Sequence, residues 1–289
     1  MQEDIKTYLQ NSLSAIARKS KQPLPWPALD ELEILLERSD RLFIYAATAI
    51  RYIGARDVNF RKRLAHITRL TPARMNTGVI DSLYNDIMRQ AFCELQPDEV
   101  SARRETLSAV VFLLIPLSLE AITSLSGMDS LEAQVALAPF QSVIHVPTAN
   151  TSPVTIFHAS FLDFIVDPSR CEKDFMLDLS NGHRSLTVQC LRCLNQTLKH
   201  YMTCSSSHKA NTIPEALRYS CLHWASHLTH SLAGTLAQTT LIELVSEFVN
   251  NHLLHWFECL SALGELESGM KSLDIAYEAI SVSMHFDLG

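Results

Sequence analysis

Strand-like patterning is confined to one short region of this 289-residue chain, and that scarcity constrains the fold more than any other feature. Ser142-Val-Ile-His-Val146 and Val154-Thr-Ile-Phe157 are rich in β-branched and aromatic residues, and the turn-rich Pro147-Thr-Ala-Asn-Thr-Ser-Pro153 between them reads as a hairpin loop. The eight glycines are scattered and the prolines cluster only at Pro23–Pro27, which leaves the rest of the chain free to form helices. The second strand runs straight into Ala159–Ile165, where Phe161, Phe164 and Ile165 share an apolar side and Ser160 is placed to cap the helix. His158 therefore lies at a strand–helix junction.

An apolar content of 47% over this length is enough for two or three small domains with their own cores. The opening Met-Gln-Glu-Asp-Ile-Lys-Thr-Tyr has no basic-then-apolar leader, and the apolar runs are too short to span a bilayer, so a cytoplasmic protein without membrane contact is expected. Seven cysteines, an odd number, read as reduced and mostly buried thiols. The net charge of −7 is unevenly spread. Arg41, Arg51, Arg56, Arg61, Lys62, Arg63, Arg69 and Arg74 face the single acid Asp57, whereas Glu105 to Ser169 holds no Lys or Arg. Opposite fields on these segments favour docking of one on the other.

Helical periodicity predicts a first helix capped by Asp4, a basic linker at Arg18–Pro27, and helices at Ala28–Glu37, Leu42–Ile53, Asp57–Leu70 and Asp81–Phe92. In Ala28–Glu37, Leu29, Leu32, Leu35 and Leu36 fall on one side. Glu99–Ile115 is a long helix stopped by Pro116, Leu119–Leu125 is ended by Gly127, and Ser130–Ala138 precedes the hairpin. After Gly182 helices are expected at His183–Met202, Pro214–His230, Thr240–Leu263 and Glu267–His285, with a loop at Ser205–His208. The predicted fold class is mainly α, in three parts: a helical bundle over residues 1–95, a winged-helix domain with one β-hairpin over 96–180, and a C-terminal helical region over 181–289.

The order His158, Ser160, Phe161, Asp163, Phe164 resembles the closing strand and last helix of the winged-helix domain in NACHT-type signalling ATPases of the STAND class. Arg41-Leu-Phe-Ile-Tyr-Ala-Ala-Thr-Ala-Ile50, Asp81-Ser-Leu-Tyr84, Pro116-Leu-Ser-Leu119 and His252-Leu-Leu-His-Trp-Phe-Glu-Cys-Leu-Ser261 are similar, in this order, to segments of the large NACHT proteins of mushroom-forming (basidiomycete) fungi. The resemblance implies an arm that clamps ADP in the resting state, with His158 contacting the nucleotide phosphate, and that swings away when exchange to ATP permits assembly. It also implies NLR-like signalling in innate immunity or incompatibility, protein partners and self-assembly. The phosphate loop G-x-x-x-x-G-K-(S/T) is missing and no Gly-Lys pair occurs, so the chain is expected to be a non-enzymatic fragment downstream of the ATPase core. It would use such a core in cis or in trans, and would hold no cofactor alone.

His223, His227 and His230 have the helical spacing of zinc ligands, but no H-E-x-x-H pattern accompanies them, and Leu222, Trp224 and Leu228 point to an ordinary packed helix. His252 and His255 read the same way beside Leu253 and Trp256. Cys190-Leu-Arg-Cys193 lies within a helical pattern without a second pair at metal spacing. No catalytic or metal-ligating residue is therefore assigned, and a zinc hydrolase is the weakest reading. Asp40 replaces a glycine that relatives place before Leu-Phe-Ile, where its tolerance of left-handed backbone can keep the turn. DNA binding by the winged helix is disfavoured because Ser130–Ala138 carries Glu132 and no base, so no nucleic-acid partner is expected. The main alternative is a free helical adaptor that binds or competes with full-length NACHT proteins.

Overall fold

The computed structural model describes residues 1–23, 26–55, 59–69, 78–149, 151–204, 213–231 and 238–286. Leu24 and Pro25 of the linker, Arg56, Asp57 and Arg74 of the basic stretch, Asn150 of the hairpin turn and the Ser205–His208 loop lie outside them. Among the described residues the fold is mainly α, with 14 helices and one two-stranded sheet. The helices before the hairpin are α1 (Gln2–Lys19), α2 (Leu29–Arg38), α3 (Phe43–Ile53), α4 (Phe60–Arg69), α5 (Val79–Ala91), α6 (Pro97–Phe112), α7 (Leu119–Ser126) and α8 (Ser130–Leu137). Strands β1 (Ile144–His145) and β2 (Thr155–Ile156) pair, and α9 (Ala159–Ile165) follows at once. The chain ends in α10 (Leu179–Cys204), α11 (Glu215–Ser231), α12 (Gln238–Asn251), α13 (Leu253–Leu263) and α14 (Leu266–Phe286).

Two compact units result. The first joins Met1–Ser101, Val135–Val146 and Ile156–Met176, and the second joins Ala102–Gln134, Pro147–Thr155 and Leu177–Gly289. In the first unit Ile5, Leu9, Leu13 and Ala17 recur every fourth residue along α1 and are fully buried. Asp4 is not the cap of α1: the helix already begins at Gln2, so Asp4 sits in the first turn and pairs with the terminal ammonium at 2.8 Å. On α2, Leu32 and Leu35 are buried, whereas Leu29 is 76% exposed because it is the first residue after the Ala28 cap, ahead of the packed turn. Helix α3 is the central element anticipated from its lack of charge, burying Tyr45, Ala46, Ala49, Tyr52 and Ile53.

Helix α5 holds this unit together with polar groups. Asp81 is almost fully buried and receives two guanidinium nitrogens of Arg170, the closest at 2.8 Å. One turn on, the Asn85 amide donates to the Arg170 carbonyl at 2.8 Å and accepts from the Glu172 N–H at 2.9 Å. The side chain thus pairs with a stretch of backbone as a neighbouring strand would. Arg89 closes the row on the Glu172 carboxylate.

In the second unit Ser118 caps α7 by accepting the Ala121 N–H at 3.1 Å, and Gly127 ends it with φ 75°, the latter as the sequence leads one to expect. Helix α6 stops at Phe112, short of the expected Ile115, since Pro116 turns the preceding residue away from helix and the Leu114 N–H bonds the Tyr219 hydroxyl at 3.1 Å. Gly182 does not precede α10 but lies inside it, because a Cβ there would sit 2.1 Å from a Phe112 ring carbon. The single helix expected over Thr240–Leu263 is two, broken at His252 (φ −127°), so that Phe248 and Trp256 both turn onto Trp224 with ring centroids 5.2 and 6.3 Å away.

Arg170→Ala is expected to destabilise the first unit by about 3 kcal/mol, the low end for stranding a buried charge because the guanidinium is partly exposed. The urea midpoint should fall, and Asp81→Asn in the same background should recover part of the loss.

Candidate functional site

Three of the segments quoted for the family resemblance meet in the first unit. Tyr84 of α5 packs its ring on Phe161 and Phe164 of α9, with centroids 5.3 and 5.2 Å away. Its hydroxyl lies 2.8 Å from the Ser160 Oγ, and the Thr48 side chain on α3 acts on the same phenol, drawing its pKa slightly down. Burial pushes the Tyr84 phenol up, which keeps it a donor. Ser160 passes the contact to His158, whose Nδ1 lies 2.8 Å from the Ser160 Oγ.

His158, not Ser160, is the N-cap of α9. Its extended backbone (φ −156°, ψ 139°) aims Nδ1 at the Ser160 N–H, which donates at 3.0 Å. The correction has a steric basis: Nδ1 is bonded to Cγ just as Oδ1 is in Asn or Asp, so the imidazole can make their capping bond. An Nδ1 that accepts from an amide carries no proton, so Ser160 must donate its own hydroxyl proton to it and accept from Tyr84. The neutral ring then holds its proton on Nε2. His158 is exposed, and Nε2–H is the donor it offers beyond the cap.

Nearby, the Arg51 guanidinium lies 3.8 Å over the Phe157 ring, and its Nη1 is buried without a hydrogen-bond partner. This stacking is one contact between the basic segment and the base-free one. Asp40 has φ 40° and Arg41 φ 63°, so the left-handed turn expected of Asp40 is formed.

The histidines of α11 serve a different arrangement. Buried His227 stands 2.7 Å from the Tyr219 hydroxyl through Nε2 and 2.7 Å from His183 of α10 through Nδ1, while His230 stacks on His183 at 4.6 Å. His223 instead lies against Tyr219. Burial, with neighbouring imidazoles adding, pushes His227 down to about 3 and His183 down to about 4. His252 is buried at the α12–α13 break, and Cys190 is buried one turn from partly exposed Cys193 on α10.

The pairing of Tyr84 with Ser160 and of His183 with His227 escaped sequence reading, because these contacts join residues 76 and 44 positions apart. The Asp-Ser-Leu-Tyr segment was the one available signal. Comparison with protein families, curated proteins and solved structures gave no match.

Two outcomes check the site. Imidazole ¹⁵N spectra at pH 8 should show His158 as the Nε2–H tautomer, and Ser160→Ala, which keeps the capping amide, should retain it. Stability should fall as pH drops from 6.5 toward 4: unfolded imidazoles take up protons near 6.5 while His183 and His227 do not until about 4 and 3. Urea midpoints across that range should fall in the native chain and flatten in His227→Asn.

Proposed function

We propose that the chain is the non-catalytic regulatory arm of a NACHT-type signal-transduction ATPase, clamping nucleotide in the resting state and making protein contacts. The observation that carries this reading is the hydrogen-bonded series from Tyr84 through Ser160 to His158, which commits Nδ1 inward and leaves Nε2–H as a donor suited to a phosphate oxygen. The series joins two segments that resemble NACHT proteins, Asp81–Tyr84 and His158–Phe164, across 76 positions of sequence. Chemistry at phosphate would belong to a core in the same or another polypeptide, with this chain adding a hydrogen bond and no catalytic group. ADP or ATP would be bound only together with that core.

A second reading, a stand-alone helical adaptor, draws on α14. Leu266, Met270 and Tyr277 recur along it with 45, 54 and 75% exposure, a stripe of the kind that binds protein.

ADP retention decides between them. Added to a NACHT core lacking its own arm, the chain should slow ADP release, and His158→Ala should weaken retention roughly 10- to 100-fold, the worth of one hydrogen bond to a charged group. Stable binding to full-length NACHT proteins with no effect on ADP would favour the adaptor.

A further inference from the structure

Cys221 of α11 and Cys259 of α13 are both buried, and their Sγ atoms stand 3.6 Å apart. They are separated by 38 positions in the chain, so the approach is a product of the fold. Two contacts enforce it. The Trp256 indole N–H, one turn before Cys259, donates to the Cys221 carbonyl at 3.0 Å. From the other side α14 presses on Leu260, next to Cys259: a Cβ on Gly269 would fall 2.2 Å from the Leu260 Cδ1. A disulfide needs about 2.05 Å between sulfurs, so the pair must close by roughly 1.5 Å, within the range of small side-chain rotations.

The pair is also chemically unequal. The Cys221 S–H donates to the Cys259 sulfur, and this bond holds the Cys259 thiol below its ordinary value against the effect of burial, with the Arg218 charge assisting. The same bond, with burial, raises Cys221. One sulfur is thus favoured as the attacking thiolate and the other keeps its proton in reserve.

We propose that Cys221 and Cys259 form an oxidation site for small hydroperoxides, closing an intrachain disulfide between α11 and α13. The Cys259 thiolate attacks one peroxide oxygen; the O–O bond breaks, an S–O bond forms, and the departing hydroxide takes a proton to become water. Cys221 then gives up its proton and its sulfur attacks Cys259, the S–O bond breaks, and the hydroxyl leaves with that proton as a second water. The two sulfurs lose two electrons and the peroxide gains them.

The test is peptide mapping of the full chain treated with stoichiometric hydrogen peroxide, then alkylated in denaturant and digested without reduction. The expected product is a peptide joining Cys221 to Cys259, lighter by two hydrogens and released by dithiothreitol. In Cys221→Ser a dimedone adduct on Cys259 should replace it. Full alkylation of Cys221 and Cys259 while exposed Cys93 is oxidised would overturn the proposal, and this measurement on the native chain stands even where the variant does not fold.

Discussion

The carboxylate of Asp81 is nearly withdrawn from water, and the first unit is organised around making that tolerable. A buried ion pair contributes little net stability, since desolvation offsets most of the attraction, but it penalises any arrangement in which the partners fail to meet. Arg170 therefore acts less as an adhesive than as a constraint on where the chain after α9 must run. Asn85, one turn along α5, applies the same constraint to backbone: it satisfies a carbonyl and an N–H that would otherwise be left buried and unpaired. Both residues lie on one face of α5, so a single helix fixes the position of the whole following segment.

Tyr84 belongs to the same helix, three residues from Asp81 and next to Asn85, and this spacing links structure to chemistry. Once Asp81 and Asn85 hold the segment after α9, the phenol of Tyr84 is at the height of Ser160, whose N–H settles the proton on His158. A histidine free to rotate would present either nitrogen. Here the cap chooses for it, because Nδ1 is occupied by an amide that cannot be withdrawn without unravelling the first turn of α9. The Nε2–H donor is thereby oriented before any ligand arrives, which lowers the ordering cost of a contact made there.

Helix positions were largely legible from periodicity, because the burial of Ile5, Leu9 and Leu13 or of Phe161 and Phe164 depends on local spacing. What was not legible depended on partners distant in sequence. Nothing in Thr240–Leu263 marks a break at His252; it is the aromatic group of Trp224, Phe248 and Trp256 that requires one. Gly182 looked like a boundary because glycine disfavours helix by about 1 kcal/mol relative to alanine, yet the ring of Phe112 occupies the space a side chain would need. The strand–helix junction at His158 was visible, but a capping imidazole was not, since sequence preferences place Ser ahead of His there.

The two units meet the cost of buried polarity differently. In the first, the charged group facing Asp81 is a guanidinium, held above its already high ordinary value mainly by that bond, so it keeps its charge under all ordinary conditions. In the second, the buried polar groups are imidazoles joined to each other and to a phenol, neutral because burial makes them so. Neutral rings are inexpensive to bury but can be charged by acid, and His183 and His227 then face each other at 2.7 Å as like charges. Mild acid therefore lowers stability through the unfolded chain, whose imidazoles take up protons that His183 and His227 refuse until about 4 and 3.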